Sequence, residues 1–351
     1  MARVTITEVA RRAGVSIASA SRALNGQVAS AETVERVRAA AEELGYVADA
    51  TARSLKLGRT HQLGYAVADI GNPVYVEIMG ALEAVVAAAG YRLTISTTGD
   101  AAATVDLVRS LGRGYVDGLV LSPLRVTDEL VQAIRQAPVP VVVLGNLPDD
   151  AGIDTVRADS GRGMELVVAH LVDEGRRLLA FLNGPADTTP GRARRAGFQR
   201  AVDSRGVVSL EATARDFTIA EGYGAARTLL ERALADGAAS LPDAIVAAND
   251  LMGIGAIHAA DDLGLRVPED IAVTGVDDTE LAQVSRPGLT SVDLGAAERG
   301  RVAADLLVAR LAEPDRPAHS VTVAPTLQVR GSSRVAGPRA LEDDKTWGAA
   351  G

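Results

Sequence analysis

The sequence predicts an all-α head at residues 1–46, a linker at 47–60 and a two-lobed α/β body at 61–330, and three observations carry that prediction. Helix-capping signals recur three times within the first 45 residues. From Leu63 onward, apolar runs of five or six residues alternate with amphipathic stretches of about 12–18. Charge divides along the same boundary: residues 1–60 carry nine basic against six acidic side chains, +3, within a chain of net charge −9. A basic head sits on an acidic body.

In the head, Thr5-Ile6-Thr7-Glu8 is a capping box that starts a helix near Ile6. Gly14 stops it, and Ser16 caps a second helix at about 17–24, closed by Asn25-Gly26. Ser30 caps a third that runs to about Gly45. In the body, strands are expected at Leu63–Ala68, Leu93–Thr97, Gly118–Leu121, Val139–Leu144, Leu178–Leu182, Ala244–Ala248 and Ile271–Val276. Helical spacing between them, as in Ile78, Leu82, Val85, Val86 and Ala89, implies parallel strands covered on both faces, since a half-solvated strand would alternate polar and apolar. The lobes divide near residue 150. The tail, 331–351, is Gly, Pro, Ala and charge without periodicity, and is expected to be largely disordered.

A chain of 351 residues with 47 % hydrophobic and 23 % charged residues fits neither a disordered nor a fibrous protein. Cysteine is absent, which removes disulfides, Cys-ligated zinc, iron–sulfur clusters and thiol nucleophiles. No run of about 18 apolar residues occurs, and Arg11 and Arg12 interrupt the apolar stretch a signal peptide needs. The expectation is a cytoplasmic protein without a membrane partner.

Two packed helices joined by a tight turn need a small residue at their contact and apolar residues inside. Ala10, Gly14 and Val15, with Ile6, Val9 and Leu24, meet that need. In such a motif the second helix enters the major groove of DNA with its N-terminal side chains on base edges. Here those are Ser16, Ile17, Ala18 and Arg22; Arg22 can donate two hydrogen bonds to a guanine, while Ile17 and Ala18 suit thymine methyls. Thr5, Ser21, Asn25, Ser30 and Thr33 are polar caps and turn residues able to hold phosphates, though each would equally cap a helix in an ordinary bundle.

In open α/β sheets, ligands bind beyond the carboxyl ends of strands. Polar residues there are Asp69 and Asn72, Asn249 and Asp250, and Asp277, joined by Arg194 in GRARRAGF. With Tyr75 and Phe217 as apolar faces, the set suits a sugar or another small polyhydroxylated molecule. Taken singly, Asn249-Asp250 and Asp277-Asp278 read as helix caps. Gly253-Ile254-Gly255 imitates a dinucleotide loop, but His258 stands where the third glycine belongs. The four histidines lack metal-ligand spacing and no GxSxG or HExxH occurs, so neither an enzyme nor a cofactor or metal is expected.

VTITEVARRAGVSIASASRALNG, followed by GYVADATARSLKLGRT, resembles the headpiece and hinge of the lac/gal repressor (LacI/GalR) family of bacterial transcriptional regulators. The resemblance continues through GYAVADIGNPVY, VDGLVLSP, GRARRAGF, DAIVAANDLMGIGA, VPEDIAVTGVDD and LTSVDL, about residues 3–330. It implies a helix-turn-helix headpiece, a periplasmic-binding-protein-like effector domain, and repression controlled by a small molecule, by family habit a carbohydrate. Ser16, Ile17, Ala18 and Arg22 fall at base-reading positions, and Thr5, Ser21, Asn25, Ser30 and Thr33 at phosphate-holding ones. Asp49–Leu57 matches a hinge helix that folds on operator DNA, Ala52 and Leu55 being its contacts, with Leu55 wedged into the minor groove. Arg194, Asn249 and Asp277 match effector contacts and Phe217 a stacking aromatic.

Departures accompany the resemblance. Ala20 replaces a larger aliphatic in the helix seam, and Ala48-Asp49 replaces Pro-Asn at the hinge. Val74 and Val276 stand where aromatics are common, and Gly145 where a polar residue is. The tail lacks the leucine heptads of family tetramers, so a homodimer on pseudo-palindromic operator DNA is expected. The competing reading is a cytoplasmic sugar-binding or sugar-modifying protein of the same body fold without regulatory DNA binding.

Overall fold

The computed structural model describes residues 4–24, 28–47, 59–148 and 150–334. The chain separates into two units, residues 1–60 and 61–351, each taken by itself below.

The head contains α1 (Ile6–Ala13), α2 (Ile17–Leu24) and α3 (Ala31–Leu44). The Glu8 carboxylate accepts from Thr5 N at 2.7 Å and starts α1; Gly14, at φ 64°, ends it. Ser16 Oγ accepts from Ser19 N at 3.1 Å and Ser30 Oγ from Thr33 N at 3.3 Å, so both expected caps form. The core is built of small residues: Val9, Ala10, Ala13, Ala20, Ala23, Val37, Ala40 and Ala41. Ala20 is fully buried in this cluster with Val37, and Leu24 packs against it, so the seam closes around the smaller side chain. Arg36 donates to Ala13 O at 2.6 Å and Gly14 O at 3.1 Å, tying α3 to the turn. Asn25, and Ala48, Asp49, Ala52 and Leu55 of the linker, lie outside the described residues.

The body holds two six-stranded sheets. The first contains β1 (Gln62–Val67), β2 (Arg92–Thr97), β3 (Gly118–Ser122), β4 (Val141–Leu144), β5 (Thr155–Ala158) and β11 (Ser320–Val323), in the order β11-β5-β4-β3-β1-β2, all parallel. The second contains β6 (Leu178–Asn183), β7 (Val208–Thr213), β8 (Ala244–Ala247), β9 (Ala272–Val276), β10 (Thr290–Asp293) and β12 (Thr326–Gln328), in the order β12-β10-β9-β8-β6-β7, parallel except for the β10–β12 pair. Between the strands run α4 (Pro73–Ala88), α5 (Ala101–Ser110), α6 (Asp128–Arg135), α7 (Ser160–Asp173), α8 (Thr189–Arg205), α9 (Ile219–Ala235), α10 (Asp250–Asp262), α11 (Glu280–Val284) and α12 (Ala296–Ala312).

The seven expected strands are present with ends shifted by a few residues, while β5, β7, β10, β11 and β12 add to them. β7 and β11 are sheet edges whose side chains are largely exposed or half-buried, so they lack the apolar run that marks an interior strand. The boundary expected near residue 150 lies beyond β5 and is crossed three times: after Ala158, after Asp293, and between Val323 and Thr326. α12 therefore returns to pack on α4 of the first lobe. Ser332 and Ser333, expected to fall in a disordered tail, are instead held in the second lobe. Ser332 and Ser333 are fully buried; Ser332 Oγ donates to Val273 O at 2.6 Å, and Ser332 N to Gly288 O at 3.0 Å. Residues 335–351 lie outside the described residues.

Gly253-Ile254-Gly255 lies inside α10 rather than in a loop. A Cβ on Gly255 would come within 2.3 Å of Ile219 O, so this glycine lets α9 and α10 pack closely. The resemblance to a dinucleotide loop is a helix-packing notch.

Candidate functional site

Two constellations stand out, one in each unit. On α2, Ser16, Ile17, Ala18 and Arg22 are all exposed, and Ile17 keeps 50 % of its surface in solvent. An aliphatic side chain so exposed at the first turn of a short helix is available for apolar contact with a partner. Arg22 has Ser19 Oγ, at 3.3 Å, as its one hydrogen-bond partner among the described residues, whereas Arg12 is paired with Glu43 at 2.7 Å. The Arg22 fork is thus available to a base edge. Thr5, Ser30 and Thr33 stand at the N-termini of α1 and α3; the Glu8 carboxylate already takes Thr5 N and Oγ1, so the dipole at the start of α3 is the more open to an anion. Ser21 is 9 % exposed, on the buried side of α2 with Ala20 and Ala23, so of the described phosphate candidates it is the least accessible.

In the body, six of the eight sequence candidates converge on one cavity of about 120 Å³: Asn72, Tyr75, Arg194, Phe217, Asn249 and Asp277. The topology explains the convergence. In the first sheet the winding direction changes between β1 and β3, and in the second between β6 and β8. Segments leaving those strands diverge and open a crevice. Asn72 and Tyr75 follow β1, Ser122 ends β3, Thr189 and Arg194 open α8 after β6, and Asn249 follows β8.

Arg194 is the anchor. It is 7 % exposed, donates through Nη2 to Asp277 Oδ1 at 3.0 Å and through Nη1 to Ala248 O. Asp277 is 5 % exposed, and burial pushes its carboxyl up although Arg194 and Arg299 pull it down. Its backbone sits at φ 104°, held by donation from Asp277 N to Val292 O at 2.8 Å. A non-glycine residue at such a φ is strained, and strain of this kind collects at sites where a side chain must be aimed. Burial also pushes the Tyr75 phenol up to about 12, so it stays protonated and serves as a hydrogen-bond donor.

Phe217 reaches the cavity because residue 184 is glycine: a Cβ there would lie 2.2 Å from the Phe217 ring. Asn249 combines both readings. Its Oδ1 accepts from Met252 N at 3.0 Å, capping α10, and its Nδ2 donates to Phe217 O at 3.1 Å, so it positions the aromatic while lining the wall. Asn72 likewise caps α4 through Val74 N at 3.2 Å. Asp69 does not line the cavity. It is exposed and accepts from Gly71 N at 2.8 Å, closing the turn before Asn72. Asp250 is structural: it is 1 % exposed and accepts from Thr279 N at 2.7 Å and Ser291 Oγ at 2.5 Å. Val74 and Gly145 line the cavity, leaving Tyr75 and Phe217 as its aromatic walls.

Sequence reasoning missed Arg299, Thr189 and the pair Arg125–Asp187. Arg299 lies in α12, on the stripe that carries Ala296, Ala303 and Leu307, and a charge on an otherwise apolar helical stripe is the signal that marks it. Arg125, after β3, meets Asp187, after β6, through two hydrogen bonds of 2.6 and 3.1 Å, and Thr189 N donates to Leu124 O at 2.7 Å; both links join the lobes beside the cavity. Among the described residues, no group of three or more His, Asp or Glu is placed to hold a metal, and no helix is long and apolar enough to cross a membrane.

Comparison with known proteins gives two family matches: bacterial regulatory proteins of the lacI family over residues 5–49, and the periplasmic binding protein-like domain over residues 168–333. The chain is 34 % identical over 335 residues to the ribose operon repressor of Escherichia coli K12, covering 94 % of this chain and 99 % of the relative. Among solved structures, it is similar to the lac repressor dimer bound to operator and an anti-inducer, with a TM-score of 0.85, 26 % identity and coverage of 95 % and 100 %. It is also similar to the transcriptional regulator CelR in complex with cellobiose, with a TM-score of 0.70, 31 % identity and coverage of 94 % and 100 %.

Proposed function

Because the chain belongs to the lacI family of bacterial regulatory proteins and is a DNA-binding transcriptional regulator, we propose that its operator affinity is set by a small polyhydroxylated effector held in the body's cleft. The observation that carries this reading is the meeting of Asn72, Tyr75, Arg194, Phe217, Asn249 and Asp277 around one cavity, on a chain whose α2 exposes Ser16, Ile17, Ala18 and Arg22. Hydrogen-bonding groups beside aromatic faces suit vicinal hydroxyls. The ribose named for one relative and the cellobiose named for one structural neighbour support a carbohydrate.

The proposed layout is a headpiece at 1–46, a hinge at 47–60 and an effector and dimerisation domain from 61 to the buried Ser332-Ser333. Two headpieces of a homodimer read a pseudo-palindromic operator, as two-fold symmetry requires; the dimer described for the lac repressor supports this assembly. Arg22 supplies the bidentate base contact, Ile17 and Ala18 the apolar ones, and Leu55 the minor-groove wedge. The role is regulatory rather than catalytic, and a DNA target implies the cytoplasm.

Effector and operator must be coupled reciprocally. Titrating effector with and without operator tests this. A ligand that weakens operator binding by a given factor is expected to bind the operator complex more weakly by the same factor, and equal affinities in both states would reject the mechanism.

A further inference from the structure

We propose that the effector is an anion: the cleft takes a carboxylate or phosphate group borne by a polyhydroxylated molecule, with Arg299 as its counter-charge. This rests on the effector reading above and adds to it the ligand's charge.

Arg299 enters the cavity from α12, on the helix face that also buries Ala296, Ala303, Ala304 and Leu307. Among the described residues, its guanidinium has no ion pair and no hydrogen-bond partner, and its Nε is buried without one. Three other enclosed arginines each meet a carboxylate. Arg194 has Asp277 at 3.0 Å, Arg310 has Asp154 at 3.0 Å and Arg330 has Asp278 at 2.6 Å. An unpaired guanidinium withdrawn from water is costly unless a counter-charge arrives.

The carboxylates nearby are already engaged. Asp277 is bonded to Arg194, Asp293 accepts from Gly295 N at 2.6 Å, and burial pushes the Glu77 carboxyl up. Burial pushes the Asp250 carboxyl up to about 8, so near neutrality it contributes little negative charge. Asp277 attracts Arg299 and Arg194 repels it, so two guanidiniums share one carboxylate at the cavity wall. From the second lobe, Thr189 adds a hydroxyl at the cavity wall whose Oγ1 is buried and unpartnered. A neutral sugar would leave Arg299 uncompensated, since a hydroxyl does not neutralise a buried charge.

The test is calorimetric titration of the full chain, free of DNA, with ribose, ribonate, ribose 5-phosphate, glucose, gluconate, glucose 6-phosphate and inorganic phosphate. At least one sugar acid or sugar phosphate is expected to bind about tenfold or more tightly than its neutral parent. Arg299→Met is expected to abolish that advantage, changing affinity for the neutral sugar less than twofold, while Arg299→Lys restores part of it. Binding confined to the acids identifies a carboxylate, and binding confined to the esters a phosphate; either supports the proposal. Arg299→Met is also expected to melt no lower than the wild type, since it removes an unpaired charge, and this reading needs no ligand. A lower melting point, anion binding that survives Arg299→Met, or no anion binding at all would overturn the proposal. A neutral sugar that binds as tightly as its acid and ester, and shifts operator affinity, overturns the charge assignment and leaves the effector reading standing. A neutral sugar and its anions that all bind without altering operator affinity strike the effector reading itself.

Discussion

The head and the body place their candidate side chains in opposite ways. In the head, Ser16, Ile17, Ala18 and Arg22 lie on one short helix and are exposed; in the body, the cavity gathers residues from Asn72 to Arg299 and buries several of them. Exposed groups on a pre-formed helix act on a partner with little bearing on folding. Buried charges that face a ligand also hold the fold, because removing one leaves its partner unpaired. Specificity and stability should therefore separate in the head and be entangled in the body.

The largest expected effect is Asp277→Ala, which leaves Arg194 with Ala248 O as its remaining partner. Breaking a buried pair costs about 3–5 kcal/mol, to be read from denaturant unfolding of the full chain. Asp277→Asn, which tolerates the positive φ better, separates lost charge from backbone strain. A loss within surface-mutation range would break the comparison.

Arg22→Ala should do the reverse. It is expected to lower discrimination at one base pair per half-site by about 1–3 kcal/mol and leave the unfolding midpoint nearly unchanged. Binding assays on single-base operator variants check this, and equal losses on operator and random DNA would exclude a base contact for Arg22. Ser30→Ala lies between the two, since one hydroxyl both caps α3 and stands where phosphate is expected. Loss of such a cap costs about 1 kcal/mol, visible as a lower melting point of the head together with weaker, sequence-independent DNA binding.

Asp250→Asn sharpens the entanglement through pH. Burial raises the Asp250 pKa from 3.8 to about 8, outweighing the hydrogen bonds from Ser291 and Thr279. The folded state then holds a proton that the unfolded state releases, so this contribution to stability is complete below about pH 4 and fades as pH rises through about 8. Asp250→Asn should fold at neutral pH and flatten the decline in melting temperature across that window. An unchanged slope would mean that Asp250 is ionised in the folded protein.

Most of the head was legible because its signals are local. The Thr5, Ser16 and Ser30 caps act on backbone groups two or three residues away, and Gly14 and Gly45 end helices through their own backbone angles. In the body, β1, β3, β4, β6, β8 and β9 announce themselves as apolar runs, whereas the edges β7 and β11 and the interior strands β5 (TVRA) and β10 (TSVD) do not. Six of the eight body candidates reached the cavity, because the ends of parallel strands at a reversal of winding open toward one crevice, Asp250 being drawn instead to Thr279 and Ser291. Asp69 failed because the turn before Asn72 uses its carboxylate.

By itself the sequence determined the three helices of the head, the parallel βα alternation of the body and the chemical character of its strand ends, all of which follow from hydrogen bonds and side-chain periodicity within a few residues. Tertiary structure decided the rest. It sent α12 and β11 back to the first lobe, β12 and Ser332-Ser333 to the second, and set Phe217 against Gly184. It also brought Arg299, on a helix about 220 residues beyond Asn72, into the same cavity. The physical reason is that sheet pairing and lobe crossings are settled by which distant surfaces bury one another, and no local pattern encodes that choice.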